Sequence, residues 1–167
     1  VTALAVTLPT LLLVAAIVWR CMIRGRPPVS TLYETTLFVT GVATLVALVA
    51  ERLTRQRIAL SVAATMGLIG LFVANGYESL EKRDTMPSLV AVLDTNFWLS
   101  THVTSITIGY SAGMLGALLA SLYLLRRCCF WLTPNPSFTR TLTRMVYGVL
   151  CFGLIFSTVG TILGGVW

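Results

Sequence analysis

One histidine occurs in the chain, His102, within "NFWLSTHVTSITIGY" (residues 96–110). Its surroundings are apolar, and an ionisable ring in hydrocarbon is costly. Trp98 precedes it by four residues, so on a helix the two rings share a face, with Thr95, Ser105 and Gly109 nearby. A neutral imidazole so placed has two uses. It can hydrogen-bond a neighbouring hydroxyl or water at a membrane interface, with Trp98 in an aromatic belt. Alternatively, it can coordinate a metal or haem iron. A lone histidine does not make a zinc site, which takes four ligands. It suffices for one axial position on haem, because the porphyrin supplies four donors. Composition leaves both uses open.

A second stretch with chemical content is "GRPPVSTLYETTLF" (residues 25–38). Pro27 and Pro28 enforce an extended approach. Thr31 and Glu34 have the spacing of a capping box, in which the threonine bonds forward and the glutamate reaches back. A functional reading instead makes Tyr33 and Glu34 part of a site at the outer membrane surface.

The elements that must position these residues are membrane helices. Hydrophobic residues make up 56% of the 167-residue chain and charged residues 11%, against roughly 25% charge in a soluble domain. Five uninterrupted apolar runs, at about residues 2–19, 32–50, 58–76, 97–125 and 142–167, approach or exceed the length that spans a bilayer. In lipid the backbone must satisfy itself, and runs without alternation select helices over a barrel. The expected fold is all-α, a polytopic membrane protein of about five transmembrane helices forming one membrane domain over 1–167. The last two runs are long enough to tilt or protrude. A short interfacial helix is expected within 86–96.

The net charge is +6, and the basic residues sit mostly between the runs. That is an anchoring pattern, with none of the basic–aromatic interleaving of a nucleic-acid surface. Loops on one side carry Arg20, Arg24, Arg26, Lys82 and Arg83. Loops on the other carry Arg52, Arg55, Arg57, Arg126, Arg127, Arg140 and Arg144. The majority side is expected to be cytoplasmic, which places the 77–96 loop and His102 outside. Cys21, Cys128, Cys129 and Cys151 form no C-x-x-C pair, so neither a disulfide framework nor zinc is expected. Gly109 with Gly113, and Gly160 with Gly164, have the G-x-x-x-G spacing that lets membrane helices pack closely. The chain starts at Val1, lacks a signal-type cleavage site and ends inside an apolar run, and is expected to be a fragment of a longer protein.

Three stretches together carry a family resemblance: "GRPPVSTLYETTLF", "FWLSTHVTSITIGYSAGMLGALLASLYLL" and the terminal "GTILGGVW". In order and spacing the chain resembles the CcsA-type cytochrome c assembly proteins, the membrane subunit of the system II cytochrome c synthetase. In that family a proline-containing outer loop precedes an L-Y-E helix start. A W-x-x-x-H-V motif opens a later helix, and a G-x-x-x-G-x-x-W segment leads into a tryptophan-rich "WWD" loop.

The resemblance implies haem as cofactor and attachment of haem to apocytochrome c, whose C-x-x-C-H segment receives it. It implies a companion CcsB/ResB-type subunit and residence in a bacterial cytoplasmic or thylakoid membrane, with the haem site on the outer face. By position, His102 matches the first outer histidine, an axial ligand of the haem iron, and Trp167 the first tryptophan of the tryptophan-rich segment. Trp98, Tyr33 and Glu34 are the remaining candidates for the cofactor site. The second outer histidine and the rest of the tryptophan-rich loop are expected beyond this chain, and no catalytic residue is assigned. Three rivals stand beside this reading; one is the related haem-delivery proteins of system I, which share the tryptophan-rich loop, though the L-Y-E stretch favours system II. A fragment of a polytopic transporter would show ionisable residues at mid-membrane or broken helices, and the runs contain none. A ligand-free structural assembly subunit would show no haem absorbance when purified.

Overall fold

The computed structural model describes residues 2–55, 57–81, 97–128 and 136–166. Five helices account for almost all of them: α1 Thr2–Arg24, α2 Leu32–Thr54, α3 Ile58–Glu81, α4 Phe97–Cys128 and α5 Pro136–Val166. Each is long and apolar enough to cross a membrane, and among the described residues there is no strand. The protein is an all-α, polytopic integral membrane protein. The short helix expected within 86–96 lies outside the described residues.

The helices run past the apolar stretches that announce them. Apolar runs mark only the lipid-immersed part, whereas a helix continues while its backbone bonds are satisfied. The 32 residues of α4 reach about 48 Å at the standard rise, against a hydrocarbon core of about 30 Å. Its last turn carries Arg126 and Arg127, where cations complement the negative end of the helix dipole. The fifth helix starts at Pro136, six residues before its apolar run. Proline is favourable at a first helical position. The hydroxyls of Thr141 and Thr143 in its polar opening bond back to the Ser137 and Thr139 carbonyls.

Local chemistry explains the ends. Gly25 follows α1 with φ +63°, and its N–H donates to the Cys21 carbonyl at 2.8 Å. This left-handed stop is one that glycine adopts without strain. Thr31 then caps α2, its hydroxyl accepting from the Glu34 N–H at 3.1 Å. At the far end of α2, Arg55 takes φ 54° and donates its N–H to the Glu51 carbonyl. The Arg57 N–H donates to Glu51 Oε1 at 2.6 Å. A connection this short folds α3 back antiparallel to α2.

In lipid there is little hydrophobic drive to press helices together, so close approach by small residues matters most. The α4–α5 pair has the most extensive contact, α2–α3 comes next, and α1 leans mainly on α2. Ala43, Ala47, Ala63 and Ala112 are all but fully buried, packed with Leu115, Leu119 and Leu142. The α2–α3 contact closes at Gly70, where an added Cβ would collide with the Thr40 side chain. Large apolar side chains such as Leu4, Leu68, Phe72 and Leu154 remain outside, as suits a surface against acyl chains.

The ends of the bundle differ in character. Arg57 at the start of α3, Arg126 near the end of α4 and Phe138 in the first turn of α5 line one cleft, which gathers those termini at one end. The opposite end therefore holds the end of α1, the start of α2, the start of α4 and the end of α5. His102, Tyr33 and Glu34 are all at this second end.

Candidate functional site

His102 lies six residues into α4 and is half-buried against α5. Its Nδ1 is 2.6 Å from the carbonyl oxygen of Gly160, 58 residues away in sequence. A carbonyl oxygen only accepts, so Nδ1 carries the proton in this contact. In the neutral ring, Nε2 then keeps its lone pair. This is the usual arrangement of a metal-ligating histidine, with one nitrogen fixed by a backbone carbonyl and the other free to bind.

Two glycines make the contact possible. A Cβ at Gly164 would stand 2.6 Å from His102 Cε1 and 2.7 Å from Nδ1. At Gly160 it would stand 2.9 Å from the Ile106 backbone nitrogen. The imidazole thus lies over the bare backbone of one turn of α5. The "GTILG" spacing serves here to seat a ring from the neighbouring helix. Along the same seam Gly109 faces Gly153 and Ser157, whereas Gly113 has nothing within 4 Å of an added Cβ. The first G-x-x-x-G pair therefore contributes one glycine to the contact. The neighbours that continue it are Ala112, against Gly153, and Gly116, against Leu150.

Leu99, His102, Ile106, Thr161 and Gly164 line an open cleft of about 320 Å³. Its walls are mostly apolar, and the Thr161 hydroxyl is turned back to the Ser157 carbonyl at 2.8 Å. Among the described residues no three His, Cys, Asp or Glu side chains converge as a metal site would need. The cleft offers a ligand a single imidazole. Trp98 is not in this lining, where Leu99 stands instead. It is half-exposed one turn earlier, in an edge-to-face contact with Phe97 at 5.7 Å and 75°. Trp167 lies outside the described residues.

Tyr33 and Glu34 belong to a different cleft, of about 300 Å³, between α1 and α2. Glu34 is only 2% exposed. Its Oε1 accepts from Arg20 Nε at 3.0 Å, and its Oε2 accepts from the Ser30 N–H at 3.3 Å. The same guanidinium lies 5.4 Å from the centre of the Tyr33 ring. The capping reading is thus half met. The forward bond from Thr31 forms as expected, while the return bond goes to Ser30, one residue before the cap, with the carboxylate drawn toward Arg20. Arg20 is the residue that sequence reasoning missed here, having been counted only among the anchoring charges. The available signal was a base one helix end away from a lone acid at the next helix start.

Residues 29–167 match the family model described as "Cytochrome C assembly protein". The cytochrome c biogenesis protein CcsA of Synechococcus sp. (strain CC9902) is 29% identical, over all of this chain and 63% of its own length. The protein of the same name from Chlamydomonas reinhardtii is 30% identical, over 94% of this chain and 45% of its own length. Protein NrfI of Wolinella succinogenes is 32% identical, over 89% of this chain and 16% of its own length. The chain spans well under two thirds of the length of most of these relatives. No solved structure matches it.

Proposed function

The chain belongs to the cytochrome c assembly protein family, and from that premise we propose that it forms one side of a haem site in which His102 is an axial ligand. The observation that carries this reading is the 2.6 Å contact between His102 Nδ1 and the Gly160 carbonyl. It supports Nδ1 as the protonated nitrogen, which leaves Nε2 as the one able to bind iron when the ring is neutral. Haem, when bound, would supply the vinyl groups that react with the cysteine thiols of apocytochrome c.

This chain's residues contribute positioning. The Gly160 carbonyl orients the imidazole. Leu99 and Ile106 keep water from one side of the ring. Trp98, one helical turn before His102 and half-exposed, can add aromatic contact beside the ligand. Glu34 acts at a distance. Its carboxylate is occupied by Arg20 and Ser30, so it ties the proline-containing loop to α1, and Tyr33 packs on the same guanidinium. The partners in this reading are apocytochrome c and a companion CcsB/ResB-type subunit, with the site on the outer face of the membrane.

The test uses the full-length protein. His102→Gly lowers copurified haem and cytochrome c maturation, and added imidazole restores both in part because it fits the vacated space. Unchanged Soret and α/β bands in His102→Gly would remove His102 from the ligand set. The ring would then serve only as a hydrogen-bonded contact between α4 and α5.

A further inference from the structure

At the end of the bundle remote from His102, Arg57, Ile58 and Ser61 of the α3 start face Leu122 and Arg126 of α4 and Phe138 of α5 across an open cleft of about 310 Å³. We propose that this cleft binds the headgroup of an anionic phospholipid from the adjoining leaflet, an inference independent of the haem reading.

Three observations carry it. The first is charge. Residues 51–57 and 126–144 contain seven arginines and a single acid, Glu51. Glu51 Oε1 is turned to the Arg57 backbone N–H. The Arg20–Glu34 ion pair lies at the other end. The seven arginines of this end outweigh Glu51 and set up a net positive field, and basic pockets between membrane helices are suited to anionic headgroups.

The second is the mixed lining. Arg57 and Arg126 are exposed cations, while the Ser61 hydroxyl is turned back to the Ile58 carbonyl at 2.7 Å. Ile58, Leu122 and Phe138 form an apolar wall of the kind that a glycerol backbone and the first methylenes of an acyl chain require. Leu122 is 36% exposed on the side of a membrane-spanning helix, so the wall continues into the bilayer. A free phosphate would have no use for that wall.

The third is preorganisation. The Arg126 guanidinium sits 3.8 Å from the centre of the Phe138 ring, which holds the cation at the cleft and reduces the side-chain freedom lost on binding.

The experiment is native mass spectrometry of the full-length protein in detergent, given equal amounts of phosphatidylglycerol and phosphatidylcholine. The wild type retains phosphatidylglycerol preferentially. Arg57→Gln with Arg126→Gln reduces that preference by about thirtyfold, the factor expected for two arginines near an anionic headgroup. Arg140→Gln with Arg144→Gln removes the same charge outside the cleft and leaves the preference nearly intact. Equal loss in both pairs would mean a diffuse field and would overturn the site, as would no loss in the first pair. Should the cleft pair not fold, Leu122→Trp fills the cleft without changing charge and must produce the loss; a retained preference there refutes the proposal. Displacement of the bound lipid by millimolar inorganic phosphate would identify a phosphate site and overturn the lipid assignment.

Discussion

Replacing Gly164 by alanine sets two physical effects of opposite sign against each other. Within a helix, Gly→Ala is ordinarily stabilising by about 0.5–1 kcal/mol, because glycine loses more backbone freedom on folding. At Gly164 the new methyl would lie 2.6 Å from His102 Cε1 and 2.7 Å from Nδ1, where carbon contacts prefer about 3.5–4.0 Å. The ring must retreat by about 1 Å. A free side-chain tip would do so cheaply, but this one is tied to the Gly160 carbonyl at 2.6 Å. A retreat of that size takes the contact to the edge of hydrogen-bonding distance. Overpacking costs about 1–3 kcal/mol and the lost bond about 0.5–1.5 kcal/mol, so the loss outweighs the helical gain. Gly165→Ala is the matched control, since an added Cβ there meets nothing within 4 Å. Thermal unfolding of the full-length protein in one detergent should show Gly164→Ala below wild type by about 1–3 kcal/mol and Gly165→Ala equal or above. Haem retention should fall only in the first. If Gly164→Ala matches Gly165→Ala in both stability and haem content, the close seat of the imidazole on α5 is refuted.

Gly109→Ala should destabilise by about 1–3 kcal/mol, because its Cβ meets the Ser157 nitrogen at 3.0 Å and the Gly153 oxygen at 3.1 Å. Gly113→Ala, facing open space, should not, and equal effects on unfolding would contradict the seam described above. In a double-mutant cycle, Arg20→Met and Glu34→Gln should couple by about 1.5–3 kcal/mol, the range of a hydrogen bond to a charged group; additive losses would show that the pair does not hold the loop. Thr31→Ala should cost about 0.5–2 kcal/mol through loss of the α2 cap, and an unfolding curve superimposable on wild type would count against the cap.

What was legible in the sequence was local. Five apolar runs long enough to span had to become helices, because hydrocarbon offers the backbone no other partner. Thr31 and Glu34 are three residues apart, so the forward bond of the cap was readable from spacing. The three quoted stretches carried the family, and His102 stood out because it was the lone ionisable ring among apolar neighbours. The same criterion underestimated helix lengths, as at Pro136–Val166, because polar turns that protrude from lipid leave no hydropathy signal. Tertiary structure decided the rest. Arg20 and Glu34 are fourteen positions apart and on different helices, so the loop approach, and not helix periodicity, makes them a pair. Gly109 and Gly113 have identical spacing credentials, yet the crossing of α4 and α5 uses the first and leaves the second facing open space. Which nitrogen of His102 carries its proton depends on a carbonyl 58 residues away, reached because glycines at 160 and 164 let two backbones come close enough for one ring to lie between them.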